Sequence, residues 1–428
     1  MNALGPRSLG RRLLRAPLHL QILTALILGV LLGLLLRQSP GLNTLLLTPV
    51  QTVGHLFIRL LRMVIVPLVF ASIVSGVCSA SDRSSLGRLS LKTFLYYGIS
   101  SLTAILIGLM VTQVFQPGKG LALLNGGPGN APPAGAPTSI WAILLRLIPE
   151  NPVAALAGGD MLPLISFALI LGVCITFLPA GTAGTLRRFF QALFDLMMVM
   201  TQGIIRLAPL GVTALLAHTT ATLGSDLFLS LGRYALTVIS GFLLHFLLVL
   251  PLLYALMTRQ NPLVHYRAML PVMLTAFTTC SSNATLPVSM GTVQEKAGVS
   301  RKISSFVLPL GATVNMNGTA LYECAGVLFI CQVLGWSMTF SQQVLLVLTA
   351  LLSAVGTAGI PAAGVVVIFI VTRAIGLPDE QVGPIVGAML AMDRPLDMFR
   401  TMINVFSDTV GAVGIARSEG EAVYVRND

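Results

Sequence analysis

Residues 387–415 read GAMLAMDRPLDMFRTMINVFSDTVGAVGI, and this stretch decides the fold because it places charges in a segment that is otherwise apolar. Its polar members follow one another at intervals of four, three, four and four residues: Asp393, Asp397, Arg400, Asn404 and Asp408. Because a helix has about 3.6 residues per turn, these side chains share one face. An Asp or Arg at the centre of a membrane helix costs about 2.5 to 3.5 kcal/mol. The face therefore needs a partner, either a bound solute or an ion-pair network such as Asp397 with Arg400.

The composition places this helix in a membrane protein. Hydrophobic residues make up 55% of the 428-residue chain and charged residues only 10%, which is outside the usual range of soluble domains. Apolar stretches of about 20 residues, the length that crosses a bilayer, recur throughout residues 19–415. We therefore expect one multi-pass membrane domain without a soluble appendage.

The basic residues indicate membrane topology rather than nucleic-acid binding. Although the net charge is +11, Lys and Arg lie at the ends of apolar segments and not in one patch, which is the distribution of topology signals. The Gly-, Pro- and Ala-rich loop 117–137 contains only Lys119. We place this loop outside and both termini in the cytoplasm, with the chain in the cell inner membrane. The amino-terminal basic and apolar stretch lacks a convincing cleavage site, so we expect it to be retained as the first helix.

Cysteines, histidines and serines give no sign of catalysis. The five cysteines form no CxxC pair and no two of the five histidines have metal-ligand spacing, so neither a disulfide framework nor a zinc site is expected. Ser281 and Ser282 have no His or Lys beside them in the motifs that could activate a nucleophile. We predict that the protein is not an enzyme and carries no cofactor.

Polar or Gly-rich runs interrupt the apolar segments of the second half of the chain. They are TTCSSN at 278–283, NMNGT at 315–319 and GTAGIP at 356–361. The first and third divide an apolar run into two arms that are too short to cross a bilayer, which predicts re-entrant hairpins. Irregular backbone at membrane depth is tolerated only when it is buried in protein or lines a cavity. Paired interruptions of this kind indicate a binding site between discontinuous helices.

The polar face favours a solute with charges of both signs. The guanidinium of Arg400 suits a carboxylate, and Asp397 one turn away suits an ammonium group. Asn404 and Asp408 offer the oxygen ligands that a sodium ion prefers. The serine pair at the first hairpin tip can present hydroxyls and backbone amides to an anion, although such pairs also serve helix packing. We therefore predict an acidic amino acid as the ligand.

Four motifs resemble those of a known family. They read SSNATLP at 281–287, GATVNMNGTALY at 311–322, GTAGIP at 356–361 and DMFRTMINV at 397–405. In this order they are similar to the dicarboxylate/amino acid:cation symporters, which include glutamate and aspartate transporters. The resemblance implies an all-α polytopic membrane protein with eight transmembrane helices, two re-entrant helical hairpins and an inverted-repeat glutamate-transporter-like fold. It also implies a homotrimer in which each subunit transports by itself.

The resemblance further divides the chain into a scaffold and a mobile transport domain. Helices 1–2 within residues 1–90 and helices 4–5 within 138–220 would form the scaffold and the trimer contacts. Helix 3 at 91–117 would join the transport domain, whose core at 228–418 holds helix 6, hairpin 1, helix 7, hairpin 2 and helix 8. Residues 419–428 would be a cytoplasmic tail. The transport domain would slide against the scaffold in an elevator-type cycle.

The resemblance also assigns residues to the solute and to sodium ions. The solute would contact one group of side chains and the backbone of the second hairpin tip: Ser282, Thr319, Asp397, Arg400, Thr401, Asn404, Gly359 and Ile360. The first sodium site would use Asn404 and Asp408 with backbone oxygens of Gly311 and Asn315. The second would use backbone oxygens of Thr313, Ala354, Val355 and Thr357. The third would draw on Tyr97, Ser100, Ser101, Asn315 and Asn317.

Two positions leave the driving ion open. The family pattern has Asp where this chain has Asn317, which removes a formal charge from the third sodium site. Glu323 looks like the proton carrier of proton-coupled members, although it is equally a buried Glu satisfied by a neighbouring Ser or Arg. Cys280, Asn283 and Ser407 also depart from the pattern. We expect sodium-driven symport of aspartate or glutamate, with proton-coupled, C4-dicarboxylate and neutral amino acid symport as alternatives.

Overall fold

A computed structural model describes residues 18–79, 87–119, 147–223, 226–356 and 363–424, together with residues 141 and 145. Within these ranges every regular element is a helix and no strand occurs. The all-α expectation is confirmed, while the count of eight transmembrane helices and two hairpins remains a prediction. In chain order the elements are α1 (Leu18–Gln38), α2 (Pro40–Ser79), α3 (Gly87–Phe115), α4 (Pro152–Gly158), α5 (Met161–Phe177), α6 (Ala180–Ile205), α7 (Ala208–Leu223), α8 (Asp226–Leu244), a π-helical segment (His245–Val249), α9 (Leu250–Thr258), α10 (Pro262–Ala268), α11 (Leu270–Thr279), α12 (Ser282–Ala297), α13 (Arg301–Val314), α14 (Asn317–Val333), α15 (Phe340–Gly356), α16 (Ala363–Ala374) and α17 (Asp379–Ser418).

Three continuous helices in the described part of the chain are long and apolar enough to cross a bilayer. They cover Pro40–Cys78, Arg88–Phe115 and Leu229–Thr258, the last of which runs through α8, the π-helical segment and α9. A fourth candidate span is the pair α6 and α7, whose axes differ by 55°. The sequence predicts this bend, because Pro209 lies at the start of α7 and lacks the N–H that would continue the hydrogen bonds of α6.

Helices α1, α2, α5, α6 and α7 pack into a first group. Glycines bring α1 and α7 close together: a Cβ atom at Gly29 would lie 2.9 Å from Cβ of Leu216, and one at Gly33 would lie 2.5 Å from Cβ of Thr220. Two glycines four residues apart are a common means of close helix contact in membranes. Large apolar side chains such as Leu31 are exposed on the outer faces of this group, as expected for lipid contact.

Helices α3 and α8 to α17 pack into a second group, in which α17 contacts α8, α9, α11, α12, α13, α14 and α16. Helix α3 crosses α14 at Gly108, where an added Cβ would lie 2.7 Å from the carbonyl oxygen of Leu321. The long helix with the polar face is thus surrounded by protein and not by lipid. The division into a scaffold and a transport domain remains a prediction.

Two pairs of helices flank α17 where the sequence predicts hairpins. Helix α11 ends at Thr279 and α12 begins at Ser282, so the turn between them consists of two residues. The first, Cys280, has φ 51°, in the left-handed region that lets the chain reverse sharply. The second pair, α15 and α16, is joined by residues 357–362, which lie outside the described residues. The predicted site residues Thr357, Gly359 and Ile360 belong to that connection.

The chain that follows α17, residues 419–424, forms a carboxyl-terminal strap across the ends of other helices. Glu419 accepts hydrogen bonds from Arg88 at 2.8 Å and Lys92 at 2.5 Å, and these two bonds lower the pKa of Glu419 to about 2. Tyr424 donates its N–H to the carbonyl of Ala297 at 3.0 Å, and its hydroxyl lies 2.7 Å from Nδ1 of His265. The first six residues of the predicted tail therefore bind α3, α10 and the end of α12.

Candidate functional site

The polar face of α17 is buried, as the helical spacing predicts. Its five members are at most 7% exposed: Asp393, Asp397, Arg400, Asn404 and Asp408. The helix itself is 40 residues long, from Asp379 to Ser418, and so extends beyond the stretch that the sequence marks as a span. Charges at this depth are costly unless each has a partner. The partners of each residue therefore indicate what the site is built to hold.

Asp397 and Arg400 form the ion pair that the sequence suggests. Nη2 of Arg400 lies 2.5 Å from Oδ1 of Asp397, and the hydroxyl of Thr401 donates to the same oxygen at 3.4 Å. The second carboxylate oxygen is 3.8 Å from Nη1 of the half-exposed Arg394. Asp397 therefore keeps one oxygen that is only loosely engaged, and an ammonium group could bind it.

The guanidinium of Arg400 is only partly satisfied by the protein. Nη1 is buried and has no hydrogen-bond partner among the described residues; it lies 4.0 Å from Oδ1 of Asp393. The guanidinium carbon lies over the ring of Tyr322, 5.1 Å from its centroid, in a cation–π contact. A buried donor without an acceptor is costly, so a bound carboxylate would remove that cost.

Glycine at position 364 makes room for this guanidinium. A Cβ atom there would overlap Nη1 of Arg400 and would lie 2.5 Å from Cε1 of Tyr322. Gly364 is near the start of α16, the second arm of the predicted second hairpin. Gly364 and Tyr322 were not among the predicted site residues, although both contact the guanidinium of Arg400 in the structure.

Asn404 joins α17 to the start of α14. Its Oδ1 accepts the N–H of Gly318 at 2.7 Å, and its Nδ2 donates to the hydroxyl of Thr319 at 3.1 Å and contacts Sδ of Met316 at 3.1 Å. The second interruption, NMNGT, is thus placed directly against the polar face. The structure brings Thr319, Thr401 and Asn404 together with the ion pair, as predicted for the solute site.

The first hairpin tip is placed near the same face. Phe277 of α11 packs edge-on against Phe399 of α17, with ring centroids 5.2 Å apart. Ser281 caps α12 by accepting the N–H of Ala284 at 3.2 Å, which leaves the hydrogen of its hydroxyl for another acceptor. Ser282 is buried and begins the helix, where backbone N–H groups favour an anion. Ser281 thus has a capping role in addition to its predicted place in the solute site.

Asp408 lies one turn beyond the solute residues and faces α13. Its Oδ1 accepts Nδ2 of Asn315 at 2.8 Å, while a Cβ atom at Gly311 would come within 2.5 Å of the same oxygen. Oδ1 of Asn315 is buried and lacks a partner in the described chain. Carboxylate and amide oxygens of this kind are the ligands that a hard cation such as sodium prefers, and they fit the first predicted sodium site.

The second predicted sodium site is only partly described. Ala354 and Val355 lie in the last turns of α15, and the hydroxyl of Thr313 donates to the carbonyl of Leu310 at 2.9 Å. Thr357 falls outside the described residues. The arrangement of this site stays a prediction.

The residues of the third predicted sodium site lie in one region of the structure, and a histidine lies beside them. Nδ2 of Asn317 donates to the hydroxyl of Ser100 at 2.8 Å and lies 3.1 Å from Nε2 of His245. Ser101 is buried on α3, and the hydroxyl of Tyr97 donates to the carbonyl of Val307 at 2.6 Å. His245 was not among the predicted site residues, although a histidine inside an apolar span is a functional candidate by default.

Glu323 is fully buried on α14. Its Oε2 accepts the hydroxyl of Ser353 at 3.1 Å, which is the neighbouring-serine alternative that the sequence analysis left open. Oε1 has no partner among the described residues. A residue with one engaged and one unengaged carboxyl oxygen fits both a structural role and a role in carrying a proton.

Discontinuous helices around a buried charged face are the construction of a secondary transporter. The chain belongs to the sodium:dicarboxylate symporter family, whose model matches residues 18–418. It is 37% identical over 444 residues to the neutral amino acid transporter B(0) of Oryctolagus cuniculus, covering 94% of this chain and 80% of that one. It is 35% identical to the human neutral amino acid transporter A (93% and 81% covered) and 33% identical to the excitatory amino acid transporter 3 of Mus musculus (94% and 85% covered). The chain is therefore a multi-pass membrane symporter of this family and not an enzyme.

Proposed function

We propose that the chain is a secondary active symporter that takes up the acidic amino acids aspartate and glutamate with sodium. The observation that carries the proposal is Arg400, whose buried Nη1 lacks a partner within the described residues while Nη2 is held by Asp397. A side-chain carboxylate of the solute would accept from the unpartnered nitrogen, and the loosely engaged oxygen of Asp397 would accept from the solute ammonium group.

The same geometry argues against the other substrates of the family. If the amino-terminal end of α12 at Ser282 holds the α-carboxylate of the solute, a neutral amino acid has no second carboxylate and leaves Nη1 of Arg400 without an acceptor. An unsatisfied buried donor weakens binding. A C4-dicarboxylate has no ammonium group, so it would gain nothing from Asp397 and would meet its negative charge. Two of the relatives above are named as neutral amino acid transporters, and Arg400 is the reason to propose a different preference here.

Sodium would drive uptake by binding at Asp408 and its oxygen neighbours on α13. A cation that binds the loaded, closed form more tightly than the open form links solute uptake to the sodium gradient. In this proposal the second helix group is the transport domain, and it slides against the first group in an elevator-type cycle. The protein is a homotrimer in the cell inner membrane with both termini in the cytoplasm.

A proton carried by Glu323 is the second candidate for the driving ion. The complete burial of Glu323 and its unengaged Oε1 favour this role, and Ser353 is the residue that would orient it. Uptake driven by a pH gradient in the absence of sodium would identify the proton as the coupling ion, while uptake that requires sodium at equal pH supports the first proposal.

Truncation of Arg400 tests the substrate proposal in proteoliposomes with an imposed sodium gradient. Removing one partner of a buried charge pair costs about 2 to 5 kcal/mol, so Arg400→Ala should reduce aspartate uptake about 30-fold or more. The exposed Arg188 on α6 offers a matched control, because Arg188→Ala removes the same charge away from the site. Gel filtration and thermal unfolding would verify assembly. Unchanged aspartate uptake in folded Arg400→Ala protein would contradict the proposal.

A further inference from the structure

A chain of neutral polar side chains crosses the interior of the second helix group beside Asp408. It begins at His245 in the π-helical segment and passes through Asn317 of α14 to Ser100 of α3, with contacts of 3.1 and 2.8 Å. All three side chains are completely buried. None of the three carries a carboxylate, so they supply no negative charge of their own.

Both polar atoms of the Asn317 amide have contacts. Oδ1 accepts the N–H of Gly318 at 2.9 Å, a hydrogen that Oδ1 of Asn404 also accepts at 2.7 Å, and Nδ2 faces Ser100 and His245. An amide nitrogen has two hydrogens, and these two contacts use both. Nε2 of His245 must then be the acceptor, which places the ring hydrogen on Nδ1 in the neutral imidazole. Asn317 therefore presents donors where a cation would require acceptors.

The network continues from Ser100 to the first predicted sodium site. The hydroxyl of Ser100 lies 3.1 Å from that of Ser407, which in turn accepts Nδ2 of Asn315 at 3.0 Å. Nδ2 of Asn315 also donates to Asp408 at 2.8 Å, so both of its hydrogens are used as well. Ser407, one of the departures from the family pattern, supplies the hydroxyl that links Ser100 to Asn315.

The predicted third set offers a sodium ion only neutral oxygen atoms. Tyr97 donates its hydroxyl to the carbonyl of Val307, and the amides of Asn315 and Asn317 use their hydrogens within the network. Oδ1 of Asn315 is buried and lacks a partner in the described part of the chain. It lies on the residue that bonds Asp408, which makes it available to the first site. Hard cations bind through several oxygens and usually a carboxylate.

We propose that Ser100, Asn317 and His245 form a hydrogen-bonded plug that takes the place of the third cation, so that this chain moves two sodium ions with each solute. The identity of the solute in this inference rests on the proposed function, whereas the number of sodium ions does not. His245 acts as a positioning residue: the wider π-helical turn brings its ring to Asn317, and such turns are often found at functional sites. These side chains therefore do not match the third predicted sodium site.

A zero-flux measurement on the wild-type protein tests the number of ions. Proteoliposomes are loaded with aspartate, the membrane potential is held at zero and pH is equal on both sides, and the aspartate gradient at which net flux stops is determined. A tenfold sodium gradient balances an aspartate gradient of about a hundredfold if two ions move and about a thousandfold if three do. The proposal predicts the former value, and the latter would overturn it.

A count of bound radioactive sodium on the purified protein supplies a readout that needs no transport. At saturating sodium and aspartate, wild-type protein should hold at most two ions per chain, and Asn317→Asp should hold one more than wild type. Three ions on the wild-type chain, or equal counts on the two folded proteins, would overturn the plug. Absence of any aspartate uptake would refute the proposed function instead, and the difference in sodium count would still decide this inference.

Discussion

Replacement of Gly364 by Ala should weaken the site without removing any of its charged groups. The new Cβ atom would overlap Nη1 of Arg400 and press on the ring of Tyr322 at 2.5 Å, and neither neighbour is free to retreat because both are buried. Overpacking of this kind costs about 1 to 3 kcal/mol. If displacement of the guanidinium lowers the binding free energy of the solute carboxylate by that amount, KM for aspartate rises about fivefold to 150-fold.

The assay is sodium-driven uptake of labelled aspartate over a range of concentrations, with Gly291→Ala as the control. Gly291 lies on α12, an arm of the first hairpin, and an added Cβ there meets nothing within 4 Å, so its KM should equal the wild-type value. The melting temperature of each variant would separate a local effect from unfolding. A folded Gly364→Ala protein with the wild-type KM would refute the placement of Arg400 as the carboxylate ligand.

Three further changes test other parts of the structure. Asp408→Asn should raise the sodium concentration for half-maximal uptake by about tenfold or more, because a charge-assisted contact is worth about 1.5 to 3 kcal/mol; an unchanged sodium dependence would exclude Asp408 as a cation ligand. Tyr424→Phe removes the hydroxyl that contacts His265 and should destabilise the protein by about 1 kcal/mol, measured as a lower melting temperature, whereas an equal melting temperature would show that the strap contact contributes nothing. The pKa of Glu419 is lowered in the folded protein by its two basic partners, so its contribution to stability is present above about pH 4.3 and disappears as pH falls toward 2. The melting temperature of Glu419→Gln should therefore be lower than that of the wild type at pH 7 and equal to it near pH 2. A difference in melting temperature that persisted at low pH would contradict this ion-pair effect.

Periodicity alone predicted the central helix and its polar face. Residues spaced by three and four along an apolar segment must share one side of a helix, and all five are buried together. The bend before Pro209 was predictable for a similar reason, because a missing N–H is a local property of the chain. Polar interruptions such as NMNGT also indicated where backbone would face the site.

Long-range contacts were outside the reach of sequence patterns. Nothing in the spacing showed that Gly364 would lie against Arg400, since the two residues are on different helices and meet only through packing. His245 lies in the π-helical segment, away from Asn317 in the sequence, and the widened turn places its ring in contact with Asn317. Ser281 is a predicted solute residue and also caps a helix; serine hydroxyls serve either purpose, and only the fold shows the capping bond.

The measurement that tests the central claim most directly is a comparison of solutes in proteoliposomes that contain the wild-type protein. Labelled aspartate, glutamate, alanine and glutamine would each be offered under an inward sodium gradient at equal pH. The site around Arg400 and Asp397 predicts concentrative, sodium-dependent uptake of aspartate and glutamate and little uptake of the two neutral amino acids. Concentrative uptake of alanine or glutamine with no uptake of the acidic pair would contradict the assignment of Arg400 to a solute carboxylate.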